Sequence, residues 1–501
     1  MHRRMIGISL SAMLDGIEAT VVRVEADVSP GIPQFSIVGL PDSTVNESKL
    51  RVRAALRNSG VELPNQRITV NLSPASVRKR GAALDLAIAV AILRASRQVP
   101  PELGTGIGFL AELALDGTLL PAEAIVSLSL GMKNAGIKRI IMSSPAEVLV
   151  PIPDIYFYSF ASLSDVVAVL RNPTQRLTPA TIPDFRDGAS TLGVDMVDVK
   201  GHKDVKRSLL VAAVGRHHAL LVGPPGCGKT MLAERFVTIL PRLQFSETLE
   251  VYAIHQAVGG ASIPSATPPV RMPHHSLTVT GMIGGTSLMI PGEVTLAHRG
   301  VLIVDELLEF SRKTLESLRE PLSNRCVRLH RAGKMTNFPA DFQLIGTLNP
   351  CPCGQRGYGD CECKEGDVIR YWSKLSGALS DRIQMTIPVE RIDTAKRARA
   401  GSNEPSSALR TRVEKARTIR SSIVENSEAG LVPKARINGD AKSLLGRASE
   451  AWSWSSRAVH SVLDVACSVC ALSGNDVITI QDVEEAIALR GQVSASNAPR
   501  T

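Results

Sequence analysis

Hydrophobic and polar positions along the chain alternate between two periods. Between Ile6 and about Leu170, strand-like alternation over Ala19–Val28, Gln34–Val38, Arg67–Leu72 and Ile137–Met142 is interleaved with helical spacing. The helical stretches are Thr44–Asn58 and Ala83–Ser96, and Asp116-Gly117 is a hairpin-type turn signal. Residues Asn172–Ala189 carry Pro173, Pro179 and Pro183 with little apolar periodicity and read as a linker. From Val194 to about Val389, strand and helix alternate again, with long irregular insertions. Arg391–Arg420 is a basic helical stretch interrupted at Gly401–Ser407. Ala435–Arg490 is helical, with a strand-like Val477–Ile480 before an amphipathic Asp482–Leu489. This order predicts an α/β protein with an N-terminal α+β domain over 1–171, a linker over 172–193, a central α/β domain over 194–390 and a C-terminal helical domain over 391–495.

Composition narrows the class. With 501 residues, 44% hydrophobic and 21% charged, wholesale disorder is excluded and several domains are expected. A net charge of +9 is compatible with a polyanion partner but too small to identify one. Aromatic residues at only 4% argue against a binder that stacks single-stranded bases. Eight cysteines do not make a disulfide framework at this length; their clustering suggests a reducing compartment and a metal site. The first apolar stretch is broken by Ser9 and Ser11 and stopped by Asp15, so no signal peptide is expected. The most apolar later run, Leu86–Leu93, is far too short to span a membrane. These features predict a soluble, cytoplasmic protein with no membrane partner.

The strongest chemical signal is Gly223-Pro224-Pro225-Gly226-Cys227-Gly228-Lys229-Thr230, a phosphate-loop pattern between the apolar strand Ala219–Val222 and a helix over Met231–Leu240. Its glycines let backbone N–H groups turn toward phosphate oxygens, and the helix N-terminus adds the positive end of its dipole. Lys229 supplies a charge to the β- and γ-phosphates, and the Thr230 hydroxyl is a ligand for Mg²⁺. A second strand, Gly300–Val304, ends in Asp305 and Glu306, the Walker B form: Asp305 would hold Mg²⁺ and Glu306 would polarise the attacking water. A third strand, Phe342–Leu348, ends in Asn349, placed to position that water.

Cys351, Cys353, Cys361 and Cys363 form two C-x-C pairs, and four thiolates in so short a span suit tetrahedral, structural Zn²⁺. An isolated redox pair is the alternative. Cys467 and Cys470 read as core packing on a helix, and His274-His275 as a hydrogen-bonding or nucleotide-responsive pair.

The motifs together resemble AAA+ ATPases, and more closely the magnesium-chelatase-like group that includes the bacterial YifB and ComM proteins. The resemblance rests on GPPGCGKT (223–230), PHHSLT (273–278), PGEVTLAHRGVLIVDELLEF (291–310), LESLREPLSNRCVRLHRAG (315–333), FPADFQLIGTLNPCPCG (338–354), RYWSKLSGALSDRI (370–383) and SSRAVHSVLDVA (455–466). It implies a central AAA+ phosphate-loop domain and a C-terminal helical lid, with ATP and Mg²⁺ as cofactors. It also implies that Arg382 is an arginine finger reaching a neighbour's γ-phosphate, that Arg457 is a second sensor arginine, and that the copies close into a homo-hexamer. A predicted hairpin, Val327–Leu329 and Met335–Phe338 about a turn at Arg331-Ala332-Gly333, carries Arg328, His330, Arg331 and Lys334. The resemblance places this hairpin and the insert His274–Pro291 in a DNA-gripping pore; the alternative is a hairpin packed on its own domain.

The N-terminal block is similar to the Lon-type proteolytic domain at SPASVRKRGAALDLAIAV (73–90) and LDGTLLP (115–121). The dyad serine falls at Ala83 and the lysine near Val126, and neither residue can act as nucleophile or base, so this domain is expected to be inactive. Arg78, Lys79 and Arg80 could touch DNA, with a solvated face as the plainer reading. The family resemblance implies a ring motor that drives branch migration on branched or single-stranded DNA, as in recombination and natural transformation. The alternative is a protein-remodelling or metal-chelatase-type ATPase subunit driven by protein partners.

Overall fold

A computed structural model describes residues 6–75, 77–100, 106–143, 150–172, 177–182, 193–259, 264–285, 289–331, 334–392, 403–425 and 434–491. The fold is mixed α/β, and the chain divides into two compact units, 1–188 with 245–265, and 189–244 with 266–501.

The first unit is built on a seven-stranded sheet. Its strands are β1 (Gly7–Asp15), β2 (Glu18–Ser29), β3 (Gln34–Val38), β4 (Arg67–Ser73), β5 (Ile107–Leu110), β6 (Arg139–Ser143) and β7 (Tyr156–Phe160), in the order β3-β4-β2-β1-β5-β6-β7. Pairs β1–β2 and β2–β4 are antiparallel and the remaining neighbours are parallel. Helices α1 (Ser43–Asn58), α2 (Asp85–Ala95) and α3 (Ile125–Asn134) pack on it. In β1 the usual polarity is inverted: Ser9 and Ser11 are buried and Ile8 is outside. The cause is close approach of α2, since a Cβ at Gly7 would lie 2.0 Å from the Ala91 carbonyl oxygen. Only small side chains fit there, and the serine hydroxyls satisfy themselves on the Ala87 and Phe109 carbonyls at 2.7 and 2.8 Å. At the start of α2, the fully buried Asp85 accepts from Ser48 and, at 2.6 Å, from Arg51 Nε.

The helix Phe245–Ala257, which the sequence reading leaves inside the central block, clusters with this first unit. It packs beside α3, where Ser127 Oγ donates to the Ala253 carbonyl at 3.1 Å and Gln256 Oε1 accepts from the Val126 amide at 3.2 Å. Lys79 does not belong to a solvated basic face. It is fully buried, with its ammonium on the Pro74 carbonyl, so only Arg78 and Arg80 of that basic run face solvent.

The second unit holds a five-stranded parallel sheet of β8 (Ala219–Val222), β9 (Val270–Arg271), β10 (Val301–Val304), β13 (Gln343–Leu348) and β14 (Met385–Pro388), in the order β9-β10-β13-β8-β14. Strands β11 (Cys326–Arg331) and β12 (Lys334–Pro339) form a separate antiparallel hairpin. Every residue of β10 and β13 is buried, as expected for a parallel sheet covered on both faces. The phosphate loop leads into α4 (Lys229–Phe236), and α5 (Ser406–Ile423), α6 (Gly439–Ala451), α7 (Ser456–Leu472) and α8 (Ile480–Arg490) complete the unit.

Apolar faces of α5 to α8 share one core with the sheet and with helix Lys203–Gly215. The basic residues of α5 are largely spent inside the fold: Arg410 donates to the Thr238 carbonyl and Arg417 to the Ala213 carbonyl, each at 2.8 Å, and Arg420 pairs with Asp464. Cys467 and Cys470 are buried in that core, and burial pushes both thiols up to about 12. The strand-like Val477–Ile480 is not a strand; Ile478 makes a single bridge to Ile437, and α8 begins at Ile480.

Candidate functional site

At the C-terminal end of β8 the chain turns through the phosphate loop. Gly223 touches the end of β14 so closely that a Cβ would meet the Val389 carbonyl oxygen at 2.0 Å. Gly226 and Gly228 hold φ of +75° and +96°, conformations that favour glycine. Lys229, at the first position of α4, is buried and donates to the Gly223 carbonyl at 2.7 Å, the Pro224 carbonyl at 2.9 Å and Asn349 Oδ1 at 3.0 Å. Burial lowers its pKa below that of an ordinary lysine.

Thr230 Oγ1 donates to Asp305 Oδ1 at 3.0 Å, from the first turn of α4 to the end of β10. These side-by-side hard oxygen donors fit Mg²⁺. Thr347 on β13 binds both acidic positions: its hydroxyl donates to Asp305 and accepts the Glu306 amide at 3.0 Å. Glu306 takes a left-handed φ of +48° at the strand end and is exposed. Four of the residues expected from the sequence therefore form a set of two hydrogen-bonded pairs, Lys229–Asn349 and Thr230–Asp305, and the charges of Asp305 and of Glu306 at its edge act on Lys229. Sequence reasoning missed Thr347, whose only signal is a hydroxyl near the end of a strand that is otherwise almost wholly apolar.

Arg382 lies elsewhere. It precedes β14, whereas the phosphate loop follows the paired strand β8, and the two strands run parallel in the register Ala219–Met385 to Val222–Pro388. Four residues of strand, about 13 Å, separate those two ends of the sheet. The Arg382 guanidinium donates to the Arg319 carbonyl at 3.0 Å and to the Ser323 hydroxyl. Desolvation lowers its pKa, and the nearby charges of Arg457 and Arg319 lower it further. Arg457 is exposed in the first turn of α7. The structure thus brings Arg382 and Arg457 near each other. Among the described residues, neither bonds to the set around Lys229.

Hairpin β11–β12 alternates as a strand pair should: Val327 and Phe338 are buried, and Arg328 and His330 are exposed. Leu329 lies against Gly285 of the preceding insert, where a Cβ would be 3.3 Å from Cδ1. That insert contains a short helix, Val279–Ile283, closed by a bridge from Gly284 to Pro291. Arg331 and Lys334 are paired at the end of the hairpin, but their side chains, and the turn at 332–333, lie outside the described residues. His274 and His275 are exposed with ring centroids 4.0 Å apart, and His274 Nδ1 shares a 2.9 Å hydrogen bond with the Ser276 hydroxyl.

The four clustered cysteines are brought together. Their sulfurs lie within 4.8 Å of one another, with Cys351–Cys353 at 3.4 Å, Cys351–Cys361 at 3.7 Å and Cys353–Cys361 at 3.6 Å. All four are free thiols, and the set could hold a metal ion. The Gln355 amide, helped by the neighbouring thiols, lowers the Cys353 thiol to about 6.

At the opposite end of the sheet, Asp341 gathers Arg216 at 3.2 Å, Arg299 at 3.1 Å and Arg325 at 3.8 Å, a cluster the sequence reading did not find. In the first unit, Ala83 and Val126 border one apolar cluster, with Val126 fully buried. Among the described residues, no helix is long and apolar enough to cross a membrane.

Comparison with known proteins agrees along the chain. The family described as magnesium chelatase, subunit ChlI, matches residues 195–397; the related ChlI descriptions match 24–146 and, for its C-terminal part, 403–490. The chain is 34% identical over 489 residues to competence protein ComM of Haemophilus influenzae, covering 95% of this chain and 96% of that protein. It is 35% identical over 495 residues to YifB of Escherichia coli, covering 95% of each. Similarity to the magnesium-chelatase 67 kDa subunit of Heliobacterium mobile is lower, 26% over 256 residues, covering 44% of this chain and 37% of that one.

Proposed function

We propose, since this chain belongs to the magnesium-chelatase-like AAA+ ATPases of the ComM and YifB type, that it is a Mg²⁺-dependent ring motor, a homo-hexamer that drives branch migration on DNA. The observation that carries the ATPase part is the pairing of Lys229 with Asn349 and of Thr230 with Asp305, which joins the phosphate loop and the start of α4 to the ends of the neighbouring strands β13 and β10.

In this reading the loop from Gly223 to Thr230 cradles the triphosphate. Lys229 exchanges its carbonyl partners for phosphate oxygens and keeps Asn349 as a neighbour. Thr230 and Asp305 hold Mg²⁺, which neutralises phosphate charge when bound. Glu306, exposed at the edge of the set, accepts a proton from the attacking water, and Asn349 orients that water. Arg382, a strand length from its own phosphate loop, serves the site of the next copy, with Arg457 beside it. Removing such an arginine costs about 10³–10⁵-fold in turnover. A site completed by the neighbour requires heterologous contacts that close into a ring.

The exposed Arg328 and His330 support DNA as the track, together with the basic balance of the chain. The domain roles follow the same reading. Residues 1–171 form an inactive Lon-like platform, 172–193 a linker, 194–390 the motor, apart from the 245–265 segment that clusters with the first unit, and 391–495 the lid.

The test is ATP turnover with and without forked and single-stranded DNA, paired with three-strand exchange, at low salt with Mg²⁺-ATP. DNA-stimulated turnover with strand exchange is the expected result. Turnover indifferent to DNA and raised by a protein partner would replace this reading with the protein-remodelling one.

A further inference from the structure

We propose that Cys351, Cys353, Cys361 and Cys363 hold one zinc ion, and that this metal knuckle positions Asn349 and Pro225 for ATP hydrolysis; the second half rests on the ATPase reading. The sulfur spacings of 3.4, 3.7 and 3.6 Å are close to the edge of about 3.8 Å that a tetrahedron of Zn–S bonds near 2.3 Å defines. Backbone amides already aim at the sulfurs: the Cys353 amide donates to Cys363 Sγ and the Arg356 amide to Cys351 Sγ, each at 3.4 Å. Such donors stabilise thiolates and orient metal ligands.

The segment has few other means of holding its shape. Between β13 and the helix Glu365–Trp372 it forms turns only, and of its four cysteines only Cys351 is buried. A metal would supply the folding energy that a core of its own would otherwise provide.

Both attachments of this knuckle lead to the nucleotide site. Cys351 is two residues from Asn349, which accepts from Lys229, and the intervening Pro350 carbonyl is pinned by Trp372 Nε1 at 3.0 Å. Gly354, at a left-handed φ of +76°, presses on the phosphate loop so closely that a Cβ would meet Pro225 Cδ at 2.5 Å. A shift of the knuckle moves Pro225 of the phosphate loop and the Asn349 side chain together. Misplacement of a reacting group by about 1 Å can cost about 100-fold in rate.

The test joins metal content to a separation of binding from turnover in the full-length chain. Metal analysis of the purified protein should find one zinc per chain, lost in the double variant Cys361→Ser/Cys363→Ser. That variant should bind a fluorescent ADP analogue as wild type does, while kcat falls about 100-fold with KM little changed. Gly354→Ala should keep its zinc yet lose turnover, and Pro225→Ala added to it should restore part of the loss by making room for the new Cβ. Wild type without zinc would overturn the metal assignment. Zinc-replete wild type with unchanged kcat in both variants would overturn the coupling and leave the zinc standing. If the double cysteine variant no longer binds nucleotide, Gly354→Ala and its rescue decide alone. Wild type that hydrolyses no ATP, with zinc present, would overturn the ATPase reading and the coupling but not the metal.

Discussion

The ammonium of Lys229 donates to Asn349 Oδ1 at 3.0 Å and also to the Gly223 and Pro224 carbonyls, with the Cys227 sulfur at 4.0 Å. An ammonium has three donors, so the phosphate-loop lysine is fully bonded by its own chain and must trade those acceptors for phosphate. Lys229→Ala should therefore abolish ATP binding. Asn349→Ala should leave binding nearly intact and lower kcat by about 10- to 100-fold. Equilibrium binding of a fluorescent nucleotide and steady-state turnover separate the two; equal losses of binding in both variants would contradict the assigned division of labour.

Asp85 and Arg51 give a stability prediction. The carboxylate is fully buried and meets Arg51 Nε at 2.6 Å, the Ser48 hydroxyl and the Leu113 amide. Asp85→Ala leaves the arginine and those donors without their acceptor and should destabilise the first unit by about 3–5 kcal/mol. Urea unfolding followed by fluorescence checks this, and a loss below about 1 kcal/mol would show that the network relaxes onto water.

His217 and His218 set the acid limb of the second unit's stability. His217 is buried and His218 half-buried, and desolvation lowers their pKa values from 6.5 to about 4 and about 3. The unfolded chain takes up protons near 6.5 that the folded one refuses. Stability is therefore full above that pH and falls as the solution is acidified toward 4, by up to about 1.4 kcal/mol per pH unit for each histidine. Calorimetric midpoints between pH 7.5 and 5 should drop accordingly. His218→Gln, which keeps an acceptor for the Leu344 amide now bound by Nδ1 at 3.0 Å, should flatten the slope. An unchanged slope would assign it to other groups.

DNA held by hairpin β11–β12 would be bound in a salt-dependent way. If Arg328 and Lys334 contact phosphates, replacing each with Ala should weaken DNA binding evenly across sequences. It should also reduce the slope of log affinity against log salt by about 1 per cation. Fluorescence anisotropy over a salt series measures it, and unaltered slopes would place DNA away from this hairpin.

Much of the nucleotide site was legible because its signals are local. Ala219–Val222, the loop that follows it, and Asp305 and Glu306 at a strand end all declare themselves within a few residues, and the structure places the strand at those same bounds. What stayed hidden depends on distant partners. The strand Gly7–Asp15 was obscured by Ser9 and Ser11, which are inside only because α2 lies so close. The helix Phe245–Ala257 finds its contacts on α3, more than a hundred residues earlier, and Lys79 looks solvated until Pro74 is seen capping it. Thr347 meets Asp305 and the Glu306 amide, and Gly354 meets Pro225, through contacts that no spacing rule encodes.

In the proposed ring, one copy's arginine completes another copy's site. The direct measurement is ATP turnover by Arg382→Ala, by Glu306→Gln and by their equimolar mixture. Each variant alone should bind nucleotide and hydrolyse almost none. The mixture should regain turnover, because some interfaces then join an intact Glu306 to an intact Arg382. A mixture no faster than its components, or Arg382→Ala turning over at the wild-type rate, would contradict it.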